Sequence, residues 1–232
     1  MFLKMNVEKL ILTLNWLFIL FPISIILGNS ILNLNFVIFI LVGCIYLKKK
    51  KIKFKYNFLL ILFFIFCIFV AISSIINQFN ISKSLLYLRF FVFYFICFYL
   101  LKEKIFNLKK IFNYYAIFTF IICTDIIIQS TFGYNIVGIK SYLFGTAKKE
   151  VATSFFLDEQ VAGSFIQNFG FYLVFIIFYK FNNMKIKNLL IKSFLLSLIH
   201  IAIFLSFQRT PLVMWVLFLL IYGMVYYKSR LL

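Results

Sequence analysis

Acidic residues are scarce in this chain of 232 residues, which has six Asp and Glu against 24 Lys and Arg. It also has one histidine, and its four cysteines stand singly in different apolar segments. Isolated cysteines and a lone histidine do not give the spaced ligands of a metal site. Phosphate-binding glycine loops, HExxH and the serine-elbow motif are also absent. The sequence therefore predicts no metal, no cofactor and no nucleotide chemistry.

What the chain has instead is apolar surface, with 65% hydrophobic and 13% charged residues. A helix satisfies its own backbone hydrogen bonds in lipid, and roughly 20 residues cross the ~30 Å hydrocarbon core. We therefore predict an all-α, polytopic integral membrane protein, a single transmembrane domain over residues 1–232 with about eight transmembrane helices. The predicted spans are 8–27, 30–47, 56–76, 84–101, 110–130, 160–179, 190–206 and 211–227.

Basic residues are unevenly divided between the two sides of these predicted spans. All but six of them lie at the termini and in alternate loops, and the six exceptions are Lys83, Arg89, Lys140, Lys148, Lys149 and Arg209. The positive-inside rule then places both termini on the cytoplasmic side of the membrane. Because topology accounts for the net charge of +18, that charge does not indicate a nucleic-acid partner.

The predicted outer side carries most of the carboxylates, which are Asp125, Glu150, Asp158 and Glu159. It also carries the longest connection, at about residues 131–157, which is partly apolar and is predicted to lie at the membrane interface. Long loops in compact proteins are commonly functional. Topology alone does not require this gathering of acids, so we predict that the outer face is the working face.

Arg89 and Asp125 lie about five residues below the outer ends of neighbouring predicted spans, roughly 7–8 Å deep at the helical rise. Gln129 is one turn above Asp125 on the same face. Ionisable residues at membrane depth face a partner or a wet cavity. Arg89 could bind an anionic substrate with Asp125 and Gln129 in support. It could equally form a structural pair with Asp125 or extend to the interface.

Gln208, Arg209, Thr210 and Pro211 precede the last predicted span on the outer side. Thr210 as N-cap and Pro211 at the first helical position are typical of a helix start. A helix N-terminus beside a guanidinium attracts phosphate, so we predict a phosphate site with Arg209 as its cation and Gln208 in support. The alternative is an ordinary capped turn with a solvated arginine.

Asp158 and Glu159 open the predicted span at 160–179. Carboxylates in a first turn complement the helix dipole, and this structural role needs no function. The functional alternative is that they position or deprotonate a hydroxyl acceptor, which makes them the candidate catalytic residues. His200, inside a span, is predicted to be a packed neutral side chain.

Three segments resemble the bacterial O-antigen ligase and O-antigen polymerase superfamily. The first is SFFLDEQVAGSFI, from Ser154 to Ile166, which is similar to a phenylalanine-rich, Asp-Glu, Gly-Ser-Phe stretch of that family. The second is LSFQRT, from Leu205 to Thr210, which resembles the family's Ser-Gly-Glu-Arg-Thr turn, with Phe207 for the glycine and Gln208 for the acid. The third runs from Ile127 through Gln129 to Gly133.

The resemblance implies a glycosyltransferase of the bacterial inner membrane that works at the periplasmic face and moves a glycan from undecaprenyl diphosphate to an acceptor glycan or lipid A core. It implies that Arg209, together with Arg89, binds the diphosphate. Family members have more spans and a later outer loop with a catalytic histidine, so we expect the chain to be a C-terminally truncated part of a longer protein, with a degenerate homologue as the alternative. Whether these residues act as an enzyme by themselves stays open. The alternatives are a transporter or flippase component for lipid-linked anionic glycans and a non-catalytic membrane subunit.

Overall fold

The computed structural model describes residues 6–52, 58–77, 87–144, 149–156, 161–180 and 186–231. These ranges are helical apart from one short hairpin, so the predicted all-α class is confirmed. The chain forms two compact units. Unit 1 comprises Met1–Ile25 and Asn29–Leu108, and unit 2 comprises Ile26–Gly28 and Lys109–Leu232.

Unit 1 contains helices α1 (Val7–Ile19), α2 (Phe21–Ile26), α3 (Asn29–Lys49), α4 (Phe58–Ile76) and α5 (Tyr87–Lys102). The predicted first span, 8–27, is therefore two helices. Pro22 explains the break, because it has no N–H for the carbonyl four residues earlier and its ring crowds that carbonyl. Asn6 caps α1 by accepting a hydrogen bond from the Val7 N–H at 2.7 Å.

Helix α3 lies at the centre of unit 1 and contacts both α1 and α5. Its buried residues Asn35, Phe39, Val42 and Tyr46 recur at intervals of three and four, which places them on one helical face. Gly43 lies against α5, and a Cβ atom there would overlap the Ile96 side chain. Close packing at small residues is how helices associate in lipid, where the hydrophobic effect between helices is weak.

Helix α4 buries only a narrow stripe against α5. Leu60, Cys67 and Ser74 are its buried residues, and they are seven positions apart, or two helical turns. The other faces are apolar and exposed, including Phe69 and Ile76. A helix with a mean hydropathy of 3.1 and so much exposed apolar surface requires surroundings other than water.

Unit 2 is built from α6 (Leu108–Phe132), α7 (Ala162–Lys180), α8 (Ile186–Leu205) and α9 (Arg209–Leu231). Helices α7, α8 and α9 contact one another. Tyr115 of α6 packs edge-on against Phe169 and Tyr172 of α7, at ring-centroid distances of 5.3 and 4.9 Å. Gly170 makes room for the buried Trp215 ring, which would lie 3.0 Å from a Cβ atom there.

The predicted long loop between α6 and α7 has structure of its own. Strands β1 (Tyr142–Phe144) and β2 (Lys149–Val151) form an antiparallel hairpin, with Tyr142 opposite Val151. A short 3-10 helix, Ser154–Phe156, follows and packs on α7. Before the hairpin, Gly133 and Gly138 turn the chain with φ of +78° and +88°, values that favour glycine.

Three helices in the described ranges are long and apolar enough to cross a bilayer, namely α3, α4 and α6. Shorter apolar helical segments are Ala162–Ile177, Leu190–Leu205 and Arg209–Met224. The chain thus has membrane-spanning character. The count of about eight spans, the cytoplasmic termini and the periplasmic working face stay predictions.

Candidate functional site

Unit 2 contains a buried polar cluster of Asp125, Gln129, Asn135 and Ser154, which we call the Asp125 cluster. Asp125, on α6, is fully buried. Its Oδ2 accepts a hydrogen bond from the Ser154 hydroxyl at 2.6 Å, and its Oδ1 accepts one from the Ile136 N–H at 2.9 Å. Both carboxylate oxygens are therefore occupied by groups of the α6–α7 connection.

The two amide side chains of the Asp125 cluster hold the same connection. Gln129 Oε1 accepts from the Ser154 N–H at 2.6 Å, as its position one turn after Asp125 allows. Asn135 Oδ1 accepts from the N–H groups of Val137 and Ile139, and Asn135 Nδ2 donates to the Ser154 carbonyl at 3.2 Å. Ser154 is thus bound at its hydroxyl, N–H and carbonyl, which stabilises a left-handed backbone with φ of +55°.

A second polar contact joins the start of α7 to the turn between α8 and α9. Gln208 Oε1 accepts from the Ser164 N–H at 2.8 Å and from the Ser164 hydroxyl at 3.0 Å. The Ser164 N–H lies in the first turn of α7 and so has no acceptor within its own helix. Gln208 therefore caps α7 from outside it, which brings the N-termini of α7 and α9 together.

Gly163 permits this approach of the two helix starts. A Cβ atom at Gly163 would overlap the Ser206 hydroxyl and lie 2.9 Å from Gln208 Oε1. Gly163 therefore has a packing role, because it lets the start of α7 approach Ser206 and Gln208 closely.

The helix after this turn begins earlier than the sequence pattern predicts. Helix α9 starts at Arg209, so Gln208, not Thr210, occupies the N-cap position, and the Leu212 N–H donates to the Gln208 carbonyl. Pro211 is then the third helical residue. Its missing N–H costs no hydrogen bond there, because the first-turn N–H groups have no intrahelical acceptors.

Arg209 is exposed at the first position of α9. It lines a pocket of about 220 Å³, which we call the Arg209 pocket, whose other walls include Phe204, Phe207 and Leu212. Within the described ranges no acidic side chain pairs with Arg209. A guanidinium, a helix N-terminus and apolar walls together fit a ligand with an anionic group and a hydrocarbon part.

Arg89 belongs to unit 1 and has partners there. Its Nη1 donates to Asn33 Oδ1 at 2.7 Å, and its guanidinium carbon lies 4.8 Å from the Phe90 ring centroid. The amide and the ring thus orient Arg89 within its unit. Since both oxygens of Asp125 already have partners, an Arg89–Asp125 pair stays only a prediction.

The candidate catalytic residues Asp158 and Glu159 lie outside the described residues. The described chain resumes at Val161, two positions after Glu159, where α7 is about to begin. Among the described residues, no group of three or more His, Cys, Asp or Glu side chains could hold a metal ion.

His200 has partners consistent with a packed residue of α8. Its Nδ1 lies 2.7 Å from the Leu196 carbonyl oxygen one turn earlier, which identifies Nδ1 as the protonated nitrogen. Its ring meets the Trp215 ring edge-on at 6.0 Å.

Sequence reasoning missed Asn135, Ser154 and Ser164. An Asn three residues before a Gly is a turn signal, and it could have identified Asn135 as the residue that closes the 135–139 turn. No local pattern links Ser154 to Asp125 or Ser164 to Gln208, since these partners are 29 and 44 residues apart.

Comparison of the chain with known protein families, with curated proteins and with solved structures gives no match. The likeness to the O-antigen ligase and polymerase superfamily therefore depends on the three short segments described above. All three take part in ordered contacts in unit 2, since Gln129 accepts from the Ser154 N–H and Gln208 accepts from the Ser164 N–H.

Proposed function

We propose that this chain is part of a bacterial inner-membrane glycosyltransferase of the O-antigen ligase or polymerase kind. In this proposal the Arg209 pocket, facing the periplasm, binds the diphosphate of an undecaprenyl-diphosphate-linked glycan. The observation that carries the proposal is the exposed Arg209 guanidinium at a helix start, beside an apolar wall.

Electrostatics supports an anionic ligand at this place. The first N–H groups of α9 have no acceptors in their own helix, and the N-terminal end of a helix carries a partial positive charge. The start of α7 is adjacent through the Gln208–Ser164 contact, so a second partial positive charge lies close by. The Arg209 guanidinium adds a full charge with a planar fork that suits phosphate oxygens.

The apolar walls support a lipid-linked ligand over a soluble one. Phe204, Phe207 and Leu212 line the Arg209 pocket beside the guanidinium, and Phe204 is 64% exposed. A polyprenyl chain could follow this surface while its diphosphate stays at the helix start.

The reaction then needs a hydroxyl acceptor and a base. The acceptor oxygen forms a bond to the anomeric carbon of the donor sugar, and the bond from that carbon to the diphosphate oxygen breaks. The leaving diphosphate takes the electron pair and stays paired with Arg209. Asp158 or Glu159 accepts the hydroxyl proton. Their position shortly before α7 is the sequence feature that supports this role.

The proposal is tested by the binding of undecaprenyl diphosphate to the purified chain in detergent. Arg209→Ala should weaken binding by roughly 10- to 100-fold, the range expected when a charge-assisted bidentate contact is lost. Arg209→Lys should recover part of it. Lys140→Ala is the matched control, because it removes an exposed charge from the α6–α7 connection without touching the pocket.

Unchanged binding in Arg209→Ala, or an equal loss in Lys140→Ala, would remove Arg209 from the site. Transfer is tested separately with the full-length protein in vesicles, given a diphosphate-linked oligosaccharide and an acceptor. Movement of the donor across the bilayer without transfer would instead support the transporter alternative.

A further inference from the structure

Unit 1 has a groove that the proposed function does not use. It lies between the last two turns of α3 and the first half of α5, and its volume is about 550 Å³. Cys44, Lys48 and Lys51 contribute from the α3 side, and Phe91 and Phe95 from α5. One end of the groove is therefore cationic, and its wall is aromatic and aliphatic.

The end of α3 fixes the positions of these lysines. The Ile52 N–H donates to the Leu47 carbonyl and the Lys51 N–H to the Lys48 carbonyl, which is the Schellman pattern of a helix end. Lys51 takes the left-handed position of this motif, with φ of +48°, where glycine is usual. Leu47 and Ile52, the pair that commonly touch in such a motif, both line the groove.

Topology and the helix dipole explain only part of this arrangement. Lysines in a last helical turn complement the dipole and fit a cytoplasmic helix end. Neither effect requires two of them to border an aromatic wall on the neighbouring helix. A phosphate with attached acyl chains complements both features, since its charge matches the lysines and its hydrocarbon matches the wall.

We propose that this groove binds one anionic phospholipid, with its headgroup phosphate at Lys48 and Lys51 and an acyl chain against Phe91 and Phe95. The site is separate from the Arg209 pocket and does not depend on glycan transfer. Helix α4 also contributes aromatic residues beside Phe91, since the Phe63 and Phe64 rings lie 5.9 and 5.4 Å from its ring. The acyl chain thus continues along an apolar surface.

The test is native mass spectrometry of the purified chain with added phosphatidylglycerol or phosphatidylcholine. The wild-type chain should bind one phosphatidylglycerol in preference to phosphatidylcholine. Lys48→Ala combined with Lys51→Ala should weaken phosphatidylglycerol binding by about tenfold and abolish the preference, because each lysine near a phosphate contributes to affinity. Cys44→Trp, which places a ring in the groove from an exposed position, should also displace the lipid.

The matched control is Lys50→Ala combined with Lys102→Ala. It removes the same total charge, one lysine just after α3 and one at the end of α5, but neither residue lines the groove. If the control variant lost phosphatidylglycerol binding equally, the effect would come from the total positive charge of the protein, and the proposed site would be overturned. Equal binding of phosphatidylcholine, or full displacement of phosphatidylglycerol by inorganic phosphate, would also overturn the phospholipid assignment.

Discussion

Unit 2 holds two groups of polar residues that differ in burial. In the Asp125 cluster, the carboxylate has a donor at each oxygen, and all four side chains are buried. At the Arg209 pocket, by contrast, an exposed guanidinium lies at a helix start and no acidic side chain of the described ranges pairs with it. The first arrangement is buried and hydrogen-bonded within the protein, whereas the second is open to solvent at the surface of its unit.

The difference shows that a charged residue buried in an apolar helix does not by itself indicate a functional site, even though its desolvation is costly. Burying a carboxylate is expensive unless it is fully hydrogen-bonded, and Asp125 meets that condition through Ser154 and Ile136. Its effect is architectural, because it fixes the α6–α7 connection to α6. Arg209, by contrast, is exposed, so its placement carries no comparable desolvation cost.

The largest effect on stability is expected from Asp125→Ala. This change leaves the Ser154 hydroxyl and the Ile136 N–H buried without an acceptor, at about 1–3 kcal/mol for each orphaned group. The free energy of unfolding in detergent should therefore fall by about 3 kcal/mol, and protease should cut the 133–141 segment faster. Asp125→Asn, which keeps one acceptor oxygen, should lose less.

If Asp125→Ala left stability unchanged but abolished undecaprenyl-diphosphate binding, Asp125 would be a binding residue and not a residue that stabilises the fold.

A smaller loss is expected from Gly163→Ala. The added Cβ atom would overlap the Ser206 hydroxyl and press on Gln208, and such overpacking typically costs about 1–3 kcal/mol. Because the two helix starts would separate, diphosphate binding should weaken together with stability. Gly223→Ala is the control, since a Cβ atom there meets nothing within 4 Å. Equal unfolding curves for the two variants would show that Gly163 does not pack tightly against Ser206 and Gln208.

The smallest effect on stability is expected from substitutions of Gln208. Gln208→Leu removes the cap of α7 and should cost about 1 kcal/mol of unfolding free energy. Gln208→Glu keeps an acceptor for Ser164 and supplies the acid of the family's Ser-Gly-Glu-Arg-Thr turn, so stability and diphosphate binding should both stay near the wild-type values. Loss of binding in Gln208→Glu at unchanged stability would argue against the likeness of this turn to the family's turn.

The sequence predicts the helices well, because long apolar runs leave few alternatives. The predicted span 110–130 corresponds to α6, Leu108–Phe132, and 190–206 to α8, Ile186–Leu205. The break at Pro22 was missed although a proline inside a helix is a known breaker. The run around it is apolar on both sides, so periodicity gave no sign of an interruption.

The candidate site was predictable only where its chemistry is local. The position of Arg209 beside a helix start can be predicted from four adjacent residues. The side chain of Gln208, the residue before the helix, bonds to Ser164, which is 44 residues away and so could not be predicted. The depth of Asp125 suggested an arginine partner, whereas a serine and a backbone N–H supply its hydrogen bonds. Residues that meet across a long connection leave no pattern in the sequence between them.

The most direct test of the central claim places a cysteine at Thr210, which is exposed and adjacent to Arg209. In Thr210→Cys, with Cys44 replaced by Ser, a membrane-impermeant thiol reagent should label intact cells from outside. Undecaprenyl diphosphate should slow this labelling in the purified protein, while undecaprenol, which lacks the diphosphate, should not. Labelling only after the cytoplasmic side is opened, or equal protection by both lipids, would contradict a diphosphate site on the periplasmic face.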